Sequence, residues 1–157
     1  MKISTSILSV NKEEAVQTFY NIEVAQTDYF HIDVMDGKFV NNNTTEFMRE
    51  SASTLKQITN VPLDVHLMVE DVDKFLEEYL PIKPDIITIH VESFEDKDRL
   101  QKAINKIKQE GVKAGISIKP ATEVSKIKDF LPYVSIVQVM TVEPGAGRTK
   151  INSGNSK

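Results

Sequence analysis

Six short runs rich in β-branched residues recur along the chain, beginning near Ile3 (ISTSIL), Tyr29 (YFHIDVM), Leu63 (LDVHLMV), Ile86 (IITIHV), Lys113 (KAGISI) and Ser135 (SIVQVM). Runs that are apolar on both alternating faces need cover on both sides, and strands that alternate with helices pair in parallel. The intervening segments have helical spacing. Asn11 with Glu14 reads as a capping box ahead of Ala15, Phe19 and Ile22. Four more helices are marked by Phe47, Met48, Ala52, Leu55 and Ile58; by Val72, Phe75, Leu76 and Tyr79; by Leu100, Ala103, Ile104 and Ile107; and by Ile127, Phe130 and Leu131. Gly111 is a natural stop for the Leu100 helix, because glycine tolerates the left-handed conformation that ends many helices. Two α/β architectures satisfy this rhythm: a TIM-type barrel and an open doubly wound sheet.

Composition narrows the class of function. The 157 residues carry 19 Lys+Arg and 23 Asp+Glu, a net charge of −4, with 40% hydrophobic and 27% charged residues. That is one ordinary soluble domain with material for a core, and it excludes disordered, collagen-like and disulfide-scaffold classes. With no cysteine, thiol chemistry and Cys-based zinc sites are excluded as well. No apolar run approaches the roughly 18 residues of a membrane span, and the opening MKISTSILSV lacks a long apolar stretch with a cleavage site. The expectation is a cytoplasmic protein with no membrane partner. No Lys/Arg stripe marks a nucleic-acid surface. Residues 1–147 read as one domain, and 148–157, polar and small, as a mobile tail.

All three histidines, His31, His66 and His90, fall inside strand runs. Strand side chains alternate faces, so His31, Asp33 and Met35 share one face; Asp64, His66 and Met68 share another strand's face; and Thr88, His90 and Glu92 share a third. A lone histidine on a buried strand is ordinarily a hydrogen-bonded core residue, and His90 is read that way. Several ionisable groups buried together need partners or a metal ion. On that ground His31, Asp33 and His66 are read as ligands of one divalent cation, with Zn, Fe, Mn and Co all compatible with imidazole and carboxylate. By composition alone Met35, Met68 and Met140 are plain core residues.

Longer motifs are more specific. His31-Ile32-Asp33-Val34-Met35-Asp36-Gly37-Lys38-Phe39-Val40, Pro62-Leu63-Asp64-Val65-His66-Leu67-Met68-Val69 and Met140-Thr141-Val142-Glu143-Pro144-Gly145 follow in that order, after Thr5-Ser6-Ile7-Leu8-Ser9. Together they closely resemble the ribulose-phosphate 3-epimerase family, from about Ile3 to Gly147. The resemblance implies a (β/α)₈ barrel and a metal-assisted isomerase of carbohydrate metabolism. Such an enzyme interconverts D-ribulose 5-phosphate and D-xylulose 5-phosphate, a step of the pentose phosphate pathway, by abstracting the C3 proton through an enediolate. It further implies that His31, Asp33 and His66 are three of four metal ligands and that Asp33 is one of two acid/base carboxylates. Ser6 and His66 would lie at the substrate, Met35, Met68 and Met140 would line the reacting carbons, and Gly145 and Gly147 would open a phosphate-binding loop. By itself that glycine pair reads as a tight turn.

The chain departs from the family pattern in length. A TIM barrel takes about 250 residues, whereas six strands are countable here, so the barrel is expected to be incomplete, with about six of eight βα units. Past Gly145 the chain reads Ala146-Gly147-Arg148-Thr149-Lys150 where the family has Gly-Phe-Gly-Gly-Gln, and Asn41-Asn42-Asn43 stands where it has Pro-Asn-Leu. The expected fourth ligand and second carboxylate fall on the missing strands, so catalysis by this chain is expected to be impaired. Open first and last strands are expected to drive self-association into a homo-oligomer. Two alternatives stay open at this level: a hexulose-phosphate (allulose 6-phosphate) 3-epimerase, and a non-catalytic metal-binding or assembly module.

Overall fold

A computed structural model describes residues 1–146; Gly147 and the 148–157 tail lie outside the described residues. Six parallel strands form one sheet in sequence order: β1 (Ser4–Ser6), β2 (Tyr29–Met35), β3 (Leu63–Met68), β4 (Ile86–His90), β5 (Lys113–Ile118) and β6 (Ile136–Val139). Strands that each pair with the next in sequence, all parallel, wind in one direction as in a TIM-type barrel; a doubly wound sheet would reverse the strand order partway. The sheet is an incomplete barrel of six strands with helical connections between them, and β1 and β6 are paired on one side only among the described residues.

Helices α1 (Ala15–Val24), α2 (Thr45–Ile58), α3 (Val72–Tyr79) and α4 (Lys97–Gln109) connect the first five strands. Local chemistry sets their starts. Asp71 accepts from the Lys74 N–H and Asp96 from the Arg99 N–H, satisfying donors that a first turn leaves free. At α1 the expected capping box is only half formed. Asn11 accepts from the Glu13 N–H, but it caps a 3₁₀ turn (Lys12–Glu14), and Glu14 contributes its backbone N–H to the Asn11 carbonyl, not a side-chain bond. The Ile127 segment is likewise 3₁₀ over Val124–Tyr133, with Pro132 inside it removing one backbone donor. Ile127 and Phe130 are buried there, whereas Leu131 and, at the end of α2, Ile58 are exposed, against the amphipathic reading.

Strand alternation separates two chemistries. Phe30, Ile32, Val34, Val65, Leu67, Ile87, Ile89 and Ile116 are fully buried in the main core with Met48, Ala52, Leu55, Leu76 and Ile104 from the helices. The residues between them face the concave side of the sheet. Gly115 belongs to that side, and a Cβ there would lie 2.4 Å from Thr88 Oγ1, so only glycine lets β4 and β5 pack with Thr88 between them.

Candidate metal centre and active site

Register turns alternate residues of β2 and β3 into rungs: His31 beside Asp64, Asp33 beside His66 and Met35 beside Met68. Ser6 of β1 pairs with His31 on the other side. The carboxyl end of β2 is held by Thr44, whose hydroxyl donates to the Asp33 carbonyl at 2.7 Å and accepts from the Met35 N–H at 3.0 Å. Asp36, at the start of the next loop, accepts from the Lys38, Phe39 and Glu70 N–H groups, tying the loops after β2 and β3 together.

Asp33 sits where the groups converge. Its Oδ1 is 3.1 Å from His31 Nε2 and 3.3 Å from His66 Nδ1, and its Oδ2 accepts from the Ser6 hydroxyl at 2.9 Å. One ligand atom from each of His31, Asp33 and His66 lies within 4.8 Å of the others. Donors about 2.0–2.2 Å from one first-row cation stand roughly 3 Å apart, so these separations suit a shared ion. The other nitrogen of His31 faces Asp64 Oδ2 at 2.8 Å, and Ser4 supports that carboxylate with a 2.9 Å hydrogen bond. A carboxylate behind a histidine is the usual outer partner of a metal-binding imidazole, because it fixes the ring and its tautomer. The residues present therefore fit a divalent cation.

Electrostatics divide the three groups: a cation would have to displace a proton from His31, whereas Asp33 and His66 are already in the ligating form. Burial favours neutral His31, but hydrogen bonds to Asp33 and Asp64 outweigh it and push its pKa up to about 10. Without a metal, a proton thus occupies the line between His31 Nε2 and Asp33. Burial would raise the Asp33 pKa, yet His31 and His66 hold its carboxyl well below the usual carboxylate range, so it is ionised at neutral pH. Burial pushes His66 down, toward the neutral ring a metal requires.

The remaining predicted residues divide. Met35 and Met68 are buried together with Val40 in a small cluster separate from the main core. Met140 is half-buried, its sulfur 3.6 Å from Gln138 Nε2. Gly145 adopts φ +80°, as a turn reading expects, and its carbonyl accepts from the Asn42 amide at 2.9 Å, linking the loops after β2 and β6. His90 is fully buried and hydrogen-bonded, 2.9 Å from His66 and 3.0 Å from Glu92. Burial opposes ionisation of Glu92, but His90, Thr122 and the Lys119 N–H lower its pKa to about 2. Sequence reasoning passed over Asp64 and Gln138 as members of the site. Asp64 shares a face with His66 and was legible by alternation; Gln138, 3.2 Å from His66 Nδ1, carried only the weak signal of one polar residue in an apolar run.

Comparison with known proteins gives one consistent result. Residues 2–155 match the model of the "Ribulose-phosphate 3 epimerase family". The chain is 37% identical over 145 residues to the chloroplastic ribulose-5-phosphate-3-epimerase of Arabidopsis thaliana, covering 92% of this chain and 50% of that protein. It is 36% identical to the ribulose-phosphate 3-epimerase of Bacillus subtilis (96% and 67% covered) and 40% identical to that of Methanocaldococcus jannaschii (92% and 59%). The chain therefore spans about half to two thirds of the length of these relatives. Among solved structures, a Thermus thermophilus protein, TTHB071, soaked with ZnCl2, shares the fold with a TM-score of 0.55 at 9% identity, over 87% of this chain and 65% of that one.

Proposed function

The chain belongs to the ribulose-phosphate 3-epimerase family, and from that premise we propose that its concave face serves the interconversion of D-ribulose 5-phosphate and D-xylulose 5-phosphate. One observation carries the reading: an ionised Asp33 lies between two histidine nitrogens, on the polar side of a parallel sheet at the carboxyl ends of its strands. Relatives named for the pentulose reaction favour it over the hexulose phosphate and over a non-catalytic module.

His31, Asp33 and His66 would hold the ion, which is Zn, Fe, Mn or Co. When bound, a divalent cation supplies Lewis acidity at the ketone oxygen and stabilises the charge that develops on it. Asp33, kept ionised and oriented by Ser6, removes the proton at C3 as the base. Asp64 holds the His31 ring in place. Met35, Met68 and Met140 form a weakly polar wall that packs on the carbon skeleton without competing for the proton, and the Gly145 turn lies toward the phosphate; Gly147, its expected companion, falls outside the described residues. Returning a proton to the opposite face takes a second acid, and among the described residues the cluster contains one carboxylate. C3–H exchange is accordingly expected to outpace net epimerisation.

Incubating the zinc- or manganese-loaded chain with D-ribulose 5-phosphate in D2O and following C3 deuteration by NMR tests the reading. The expected outcome is exchange that Asp33→Asn abolishes; exchange no faster than the same metal in buffer would overturn it. Two further properties complete the proposal. A cytoplasmic site of action is part of the proposal, and no described helix is long and apolar enough to cross a membrane. Among the described residues β1 and β6 pair on one side only, with Val137 and Val139 exposed, which supports self-association; sedimentation velocity showing monomer at all concentrations would count against it.

A further inference from the structure

We propose that Glu92 and His90 are positioning residues that decide which nitrogen of His66 carries its proton, leaving Nδ1 bare toward Asp33; the proposal rests on the reading of His31, Asp33 and His66 as cation ligands. The chain of hydrogen bonds starts at Glu92. One of its oxygens, Oε1, accepts from the Lys119 backbone N–H at 2.8 Å and from the Thr122 hydroxyl. The other, Oε2, faces His90 Nδ1 at 3.0 Å. A carboxylate has no proton to give, so His90 donates from Nδ1.

A neutral imidazole has one N–H, and His90 has used it. Its Nε2 is therefore an acceptor, and the atom opposite, at 2.9 Å, is His66 Nε2. The single proton between them belongs to His66, which leaves His66 Nδ1 without one. A second contact points the same way: the Gln138 amide nitrogen is 3.2 Å from that Nδ1 and donates to it. Asp33 accepts at shorter range from His31 Nε2 at 3.1 Å and the Ser6 hydroxyl at 2.9 Å, so in this reading its 3.3 Å approach to His66 Nδ1 is the space a shared cation would fill. The order Glu92, His90, His66 thus transmits a fixed backbone donor at Lys119 into a lone pair aimed at the centre of the site. Metal-binding imidazoles depend on such outer partners for ring orientation and basicity.

Glu92→Gln is a near-isosteric way to reverse the order. The Lys119 N–H and the Thr122 hydroxyl claim the single amide oxygen, so the amide NH₂ faces His90 Nδ1 and forces it to accept. The His90 proton moves to Nε2, and that of His66 to Nδ1, where it blocks the cation. The full chain, labelled with ¹⁵N-histidine and free of metal, reads this directly by long-range ¹H–¹⁵N NMR, and titration with zinc ion reads the consequence. Wild type is expected to show His90 protonated at Nδ1 and His66 at Nε2. Glu92→Gln is expected to show both inverted, with zinc binding weakened roughly 10- to 100-fold. Wild-type His66 carrying its proton on Nδ1 would overturn the proposal, and that spectrum decides even if the variant folds poorly. Wild-type tautomers and zinc affinity persisting in Glu92→Gln would overturn it too. Wild-type protein with the expected tautomers that takes up no zinc upholds the proton order and overturns the cation reading instead.

Discussion

On the outer face of β2 and β3, Ile32, Val34, Val65 and Leu67 are fully buried under helices; at alternate positions of the same strands the inner face carries His31, Asp33, Asp64 and His66. Both faces are largely removed from water, yet they are stabilised by different physics. The outer residues gain from lost apolar area, which asks only for the right volume and shape. The inner residues lose hydration, and each must recover it from a specific partner at a specific distance. Substitutions should therefore separate into those that change stability and those that change ion binding.

The largest effect is expected outside. Leu67→Ala should lower unfolding free energy by about 3 kcal/mol, read as a fall in the urea midpoint, with zinc affinity retained while the chain is folded. Next, Asp33→Asn should weaken zinc binding by about 100-fold or more in calorimetric titration if the proposed centre is right, because it removes the carboxylate that both histidines face. His31 keeps Asp64 as partner, so circular dichroism should still report a folded chain; a variant that unfolded as it lost zinc would break the distinction between the faces.

Gly115 sharpens the comparison because it is an inner-face residue with a packing role. Gly115→Ala should cost about 2 kcal/mol through the clash with Thr88 Oγ1, and Thr88→Ala in that background should recover part of it. If the two costs simply add in thermal melts, the close approach is not what requires glycine.

An effect no larger is expected in pH. The Glu92 carboxyl falls from 4.5 to about 2 on folding, so its contribution is complete above pH 4.5 and disappears as pH drops toward 2. Wild type should exceed Glu92→Gln by about 2 kcal/mol at pH 7, with the gap closing between pH 4.5 and 2 in urea titrations. A gap that stayed constant across that range would assign the difference to packing.

Much of this is legible from the residues. The six strands, the four α-helices and the His31–Asp33 face follow from local periodicity, and the motifs around His31 and His66 bring the family and its barrel. The capping box at Asn11 and the helix at Ile127 are less legible, because a three-residue spacing serves a 3₁₀ turn as readily as an α-helix. His90 is a buried, hydrogen-bonded histidine, as its place in an apolar run implies, but its partner is hidden. Nothing in the sequence says that its Nε2 meets His66, 24 residues earlier.

What the chain determined by itself is whatever repeats over a few residues. Alternation with period two puts His31 with Asp33 and Asp64 with His66, since adjacent side chains of an extended backbone must point to opposite faces. Tertiary structure alone decided which rungs align. Asp33 meets His66 because β2 and β3 pair in one register, and Gln138 reaches the same ring from 72 residues away because the sheet curls. A slip of one residue would turn every one of these groups to the other face, and only the packing of the outer residues against the helices forbids it.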